Sequence, residues 1–201
     1  MNSKFASFIF IISLIFLADV FLIHFIKSDL EWSMVTLSHY ALGDFGYIIN
    51  VGFYCFATAE IACAALLILN SPRSIVYSAL FFTLAGIGAL LVAVFPVQPP
   101  TADIATRLPH ILGAIMQFMF FPLALFAIDS YLVDSHMKSY TRLTGYVTFI
   151  FFVILLSLFI VKSKYQFPYF GLLEKIDIVL ITIWLIIFSY LSIRSNIFKA
   201  R

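Results

Sequence analysis

Apolar residues along this chain come in long unbroken runs, not in alternation. Six runs stand out, at about Phe5 to Ile26, Gly46 to Leu69, Ile75 to Phe95, Leu108 to Ile128, Leu143 to Val161 and Ile176 to Ile193. Each is close to the roughly 20 residues with which a helix crosses a hydrocarbon core about 30 Å thick. None shows the period of two that a lipid-facing strand requires, which excludes a barrel. Polar punctuation separates the runs: Asn70-Ser71-Pro72-Arg73 breaks the second from the third, and Pro96, Pro99 and Pro100 remove donors that a continuing helix would need. The connections are short, so sequence neighbours should pack antiparallel. The pattern predicts an all-α fold, a six-transmembrane-helix bundle forming a single domain over residues 1–201.

Composition sharpens this picture. The chain of 201 residues is 63% apolar and 11% charged, with a mean hydropathy of +1.08. A soluble domain is about one quarter charged, so these residues cannot make a water-facing shell. A formal net charge of +2 is no basic patch, which excludes nucleic acid as a partner. Cys55 and Cys63 lie eight residues apart on one predicted helix, about 12 Å along its axis and too far for a disulfide. The four histidines, His24, His39, His110 and His136, are scattered and lack metal-ligand spacing. No HExxH, GxSxG, GxGxxG or nucleotide loop occurs, so no metal site is predicted and no cofactor is indicated.

Orientation follows from the placement of Lys and Arg. The side holding both termini carries Lys4, Arg73, Lys138, Arg142, Arg194, Lys199 and Arg201, with the acids Asp129 and Asp134. The other side carries Lys27, Arg107, Lys162, Lys164 and Lys175, but also Asp29, Glu31, Asp44, Asp103, Glu174 and Asp177. This bias places both termini in the cytoplasm. Lys4 ahead of an apolar run has the look of a signal peptide, yet Asp19 interrupts where cleavage would fall and no Ala-x-Ala follows, so the first run reads as a retained anchor. Lys138 and Arg142 read as anchors to anionic lipid.

An ionisable side chain in hydrocarbon needs a reason to be there. Asp19, Glu60 and Gln117 lie near the middles of the first, second and fourth runs, and three helices could bring them into one midplane cluster. With no Lys or Arg at that depth, protonated carboxyls that donate hydrogen bonds are expected. Such a cluster is either a proton or substrate site or a polar clamp between helices. Nearer the outer surface, His24 and His110 fall at similar depth. His110, Gly113, Ala114 and Gln117 follow at i, i+3, i+4 and i+7, a small and polar stripe that must face protein or a cavity.

Two outer loops carry further candidate residues. Thr36-Leu37-Ser38-His39-Tyr40-Ala41-Leu42-Gly43-Asp44-Phe45-Gly46 leads into the second run, with Asp44 placed to cap its helix. The stretch from Phe95 to His110 puts Pro109 at a helix start and delivers Asp103, Arg107 and His110 to the outer mouth, an acid, a cation and a base. A capped re-entry turn and an Asp-Arg surface pair would look the same.

Leu37-Ser38-x-Tyr40-Ala41-Leu42-Gly43, then Phe95-Pro96 closing the next hairpin, then His110 opening the fourth run, resembles the prokaryotic membrane family called domain of unknown function 998. More distantly the chain is similar to the Frag-one, DRAM and Sfk-one group of six-span proteins, some of which act in lipid handling. The resemblance covers most of the chain and departs at Gln98, where the family often has an acid soon after Phe-Pro. It implies the six-span topology, a bacterial inner membrane as the location and an outer-facing region of Ser38, Asp103 and His110, without a reaction.

Two functions are consistent with these residues. One is a lipid-binding or lipid-organising membrane protein with membrane lipids as partners, a small-molecule or lipid ligand, and an outward-facing polar pocket of Ser38, Asp44, Asp103, Arg107 and His110. The other is a small proton-linked transporter or membrane-embedded enzyme that uses Asp19, Glu60 and Gln117.

Overall fold

The computed structural model describes residues 3–70, 75–99, 101–161 and 167–194. It contains six long helices: α1 (Ser3–Ile26), α2 (Gly46–Asn70), α3 (Val76–Val94), α4 (Ile104–Asp129), α5 (Ser135–Val161) and α6 (Phe170–Arg194), with a short 3-10 turn at Leu37–Ala41 between α1 and α2. All six are long and apolar enough to cross a membrane. Large apolar side chains also cover the outside, including Phe25 at 81% and Ile160 at 66% exposure. Apolar surface on that scale is stable against lipid, not water. The protein is an integral membrane protein. Of the residues used for orientation, Arg73, Lys162, Lys164, Lys199 and Arg201 lie outside the described residues, as do Ser71, Pro72 and Pro100.

Each helix packs on its sequence neighbours and α6 returns to α1, so the six close into a ring. Antiparallel neighbours are what short connections dictate. The face bearing the 3-10 turn holds one end of each of the six helices, and is called the loop face below. An aromatic plug fills the far half of the ring. Trp184 of α6 stacks on Phe82 of α3 at 5.6 Å and on Phe188 at 4.7 Å, and meets Phe121 of α4 edge-on at 5.8 Å. Its indole N–H donates to Thr141 Oγ1 of α5 at 3.0 Å, which satisfies the one polar atom of a fully buried ring. Trp184 lies 14 residues from the start of α6, about 21 Å below the loop face at 1.5 Å per residue.

Glycine sets the closest helix approach. A Cβ on Gly88 of α3 would stand 2.6 Å from the Gly113 carbonyl oxygen of α4, and one on Gly113 would stand 2.7 Å from the Gly88 oxygen. The two backbones touch, as small residues permit in membranes.

Three helices begin earlier than their apolar runs suggest. α4 starts at Ile104, where Asp103 accepts from Ala105 N at 2.9 Å as the N-cap. Pro109 is therefore not in the first turn but at the sixth helical position, where it withholds a hydrogen bond from the Ala105 carbonyl. α5 starts at Ser135, with Asp134 Oδ1 accepting from Met137 N at 2.7 Å. Its polar first two turns contain Lys138 and Arg142, the latter paired with Asp129 at 2.8 Å. α6 starts at Phe170, which carries Glu174, Lys175 and Asp177 into the bundle. Hydropathy missed these turns because helix ends extend past the hydrocarbon slab, where polar side chains carry no penalty. The expectation for Asp44 is also corrected: it lies two residues ahead of α2, exposed, with no side-chain bond to that helix, and Phe45 takes the adjoining position at φ 60°.

Candidate functional site

A cleft of about 600 Å³ lies between α4, α5 and α6 beneath the loop face. It exists because α5 diverges. The buried residues of α5 are Met137, Thr141, Thr144, Gly145 and Thr148 in its first half and Leu155 alone beyond them. Gly145 lets Phe126 and Leu125 of α4 come close, and Thr141 is tied to Trp184. Among the described residues past Thr148, Phe149 still meets Phe126 of α4 at 6.3 Å and only Leu155 is buried, and Phe152, Leu155, Leu156 and Phe159 form one wall of the opening. Ile111, Ala114, Ile115 and Phe118 of α4 form the facing wall. Phe159 is 42% exposed, so the apolar walls reach the lipid-facing surface.

The mouth is polar. Thr36 at the N-cap and Ser38 and His39 within the 3-10 turn, Gln98, Arg107 and His110 of the α3–α4 hairpin, and Glu174 of α6 line it. His110 donates its Nδ1–H to the Phe95 carbonyl at 2.8 Å. A carbonyl only accepts, so this bond places the proton on Nδ1 and leaves Nε2 for a ligand. From Arg107 to Phe118 the α4 wall is 11 residues long, about 16 Å, close to one leaflet of a 30 Å core.

α6 builds the mouth's floor. Glu174 Oε2 accepts from Leu37 N at 3.0 Å. Lys175 Nζ donates to the Trp32 carbonyl at 2.6 Å and the Val35 carbonyl at 2.5 Å, and sits 4.9 Å from the centre of the Tyr40 ring. Leu172 N adds a bond to Ser33 O at 2.9 Å. The loop from Trp32 to Tyr40 is thus pinned to the first turns of α6. Tyr40 is fully enclosed. Burial, and then the negative charges of Glu31 and Asp29, push its hydroxyl above the ordinary tyrosine range.

A second, water-sized space of about 30 Å³ continues inward from the cleft. Ser38, His110, Ala114, Phe118 and Glu174 line both spaces, and Gln117 lines only the inner one. Gln117 Nε2 donates to Glu60 Oε1 at 2.8 Å, with Glu60 fully buried.

The structure brings together some of the residues picked out from the sequence and separates others. Ser38, Arg107 and His110 line the cleft, whereas Asp103 is spent as the α4 cap and Asp44 stands apart. Glu60 and Gln117 are bonded. Asp19 does not join them: its Oδ2 lies 3.2 Å from where a Gly52 Cβ would stand, and Gly52 is eight residues, about 12 Å, up α2 from Glu60. His24 is occupied elsewhere, its Nδ1 on Val20 O at 2.6 Å and its ring on Tyr40 at 4.6 Å. Sequence reasoning missed Glu174, Lys175 and the α5 wall. The available signal was Gly171-x-x-Glu174-Lys175-x-x-Ile178, an i, i+3, i+4, i+7 face that continues α6 outward. Asp177, which the sequence places at the outer end of the sixth run among that side's charges, is fully buried with neither oxygen hydrogen-bonded. Among the described residues no group of three or more His, Cys, Asp or Glu side chains could hold a metal ion.

The fold and cleft define a six-helix integral membrane protein with an internal amphipathic site. A family model described as protein of unknown function (DUF998) matches residues 10–191, and the chain belongs to that family. No curated protein and no solved structure matches it.

Proposed function

We propose that this protein binds a membrane lipid, with the acyl chain between α4, α5 and α6 and the head group at Ser38, Arg107 and His110. The observation that carries the reading is the division of one cleft into a donor-rich mouth and an apolar body about one leaflet deep. A volume near 600 Å³ is in the range that holds a single ligand of moderate size, which fits one chain better than a pair. Arg107 supplies charge for a phosphate or carboxylate, and His110 Nε2 supplies a second polar contact. Charge bias favours the loop face as the external side of a bacterial inner membrane, with the site facing the outer leaflet. Fusing a topology reporter to the C-terminus tests this orientation, and a signal from the external side refutes it.

Native mass spectrometry of protein released from lipid nanodiscs tests the binding itself. The wild type should retain a lipid adduct. Leu155→Trp, which fills the apolar body, should lose it, and Arg107→Ala should retain it less well and show weaker preference for anionic lipid. Lipid-free wild-type protein, or an adduct indifferent to Leu155→Trp, refutes the reading.

A further inference from the structure

The Glu60–Gln117 pair lies beyond the cleft and has no part in the lipid site proposed above. Its two remaining polar atoms, Glu60 Oε2 and Gln117 Oε1, are both buried and both lack a hydrogen-bond partner. If Glu60 were a carboxylate, both would be acceptors and the pair could not be completed. A single proton on Glu60 Oε2 turns that atom into a donor, and the orphaned amide oxygen of Gln117 is the acceptor it needs. The result is a closed acid–amide ring with two hydrogen bonds. Turning the amide over leads to the same requirement, since its oxygen would then face Glu60 Oε1 and again need a proton between them.

Among the described residues no cation lies at the depth of Glu60 to stabilise the ion instead. On its own helix Glu60 has Cys63 and Cys55 as titratable neighbours. α4 offers His110 two turns outward, with its Nδ1 committed to Phe95, and Arg107 at the mouth, ten residues or about 15 Å from Gln117. α6 offers Glu174 and Asp177, which are acids, and Lys175, which is bonded to the Trp32 and Val35 carbonyls. α1 offers Asp19, and α3 has no Asp, Glu, Lys, Arg or His. A buried ion without a counter-charge is the costliest state such a group can adopt.

The inner space reaches Gln117, the partner that stands between it and Glu60. Its 30 Å³ is enough for one water, and it runs from Ser38, His110 and Glu174 at the cleft to Gln117. We infer that Glu60 is a proton-holding site, neutral at pH 7 in a ring with Gln117, that exchanges its proton with the cleft through a water in this space. When the Gln117 side chain swings aside, the O–H bond on Oε2 breaks, its proton passes to the water, and the same oxygen takes a proton back. The inference is independent of which lipid, if any, fills the cleft.

Isotope-edited infrared spectroscopy tests it. The chain has three glutamates, Glu31, Glu60 and Glu174, so carboxyl-[13C]Glu labelling separates this group from all aspartates. Expected at pH 7 is one protonated-carboxyl band that shifts in D2O and is absent from Glu60→Gln. Filling the space with Ala114→Leu should leave the band in place and slow its D2O shift at least tenfold. No protonated-glutamate band in the labelled wild type overturns the inference even if Glu60→Gln fails to fold. A band that survives Glu60→Gln belongs to another glutamate and overturns the assignment. A band inert to D2O in the wild type overturns the exchange path.

Discussion

The contact between Gly88 and Gly113 makes the strongest demand on the structure, and Gly88→Ala tests it. The new Cβ would meet the Gly113 oxygen and the Gln117 nitrogen at 2.6 Å and Met116 Cβ at 2.9 Å, where ordinary contact begins at 3.4 Å. Two of these atoms belong to helix backbone and cannot rotate away, so α3 and α4 must part by about 0.8 Å. Overpacking of this kind costs about 1–3 kcal/mol, a factor of roughly 5 to 150 in the folding equilibrium. The displacement falls on Gln117 itself, and the 2.8 Å bond to Glu60 would stretch past hydrogen-bonding reach. Equilibrium unfolding in mixed micelles measures the loss. Gly113→Ala forces the same parting, so the double variant should cost less than the sum of the two by at least 0.5 kcal/mol. If Gly88→Ala unfolds within about 0.5 kcal/mol of the wild type, or if the two substitutions simply add, the helices do not touch there and the geometry given for Gln117 is wrong.

The remaining expectations concern the loop face and the plug. Lys175→Met removes the donor shared by the Trp32 and Val35 carbonyls; hydrogen exchange of residues 32–40 should rise by about tenfold or more, at the roughly 1.5–3 kcal/mol typical of a charged hydrogen bond, and unchanged exchange would show that α6 does not hold the loop. Tyr40→Phe deletes a buried hydroxyl that has no hydrogen-bond partner, so stability at pH 7 should change by less than about 0.5 kcal/mol. Because the folded-state value of Tyr40 is raised, its contribution is complete below the unfolded value near pH 10 and is lost as pH climbs through the folded value. Wild type should therefore weaken relative to Tyr40→Phe only above about pH 10, and a difference developing near neutrality would contradict this. Trp184→Phe removes the bond to Thr141 and should lower stability by about 1 kcal/mol or more, whereas Arg142→Ala, which breaks an ion pair at an exposed guanidinium, should cost less than Trp184→Phe; thermal melts of both variants check the order.

Much of the candidate site was legible residue by residue without being legible as a place. Ser38, Arg107 and His110 were marked by polarity at the edges of apolar runs, and the cleft joins them. Asp44 and Asp103 carried the same mark and do not line it, because an acid beside a helix start serves as a cap or a solvated charge as readily as a ligand contact. Glu174 was masked by its place among loop charges. Phe152, Leu155 and Phe159 had no mark at all, since an apolar residue on a spanning helix looks the same whether it faces lipid, core or cleft.

The sequence by itself determined the solvent, the crossing number and the helical state of the chain, because a backbone in hydrocarbon must satisfy its own hydrogen bonds and 20 apolar residues in a row leave one way to do so. Tertiary structure alone decided that α5 leaves its neighbours beyond Thr148, that Glu60 finds Gln117 while Asp19 does not, and that Gly88 and Gly113 meet. These outcomes depend on how each helix is rotated about its own axis. With apolar residues on every side, hydropathy does not encode that rotation, and packing of small, aromatic and polar side chains against one another sets it.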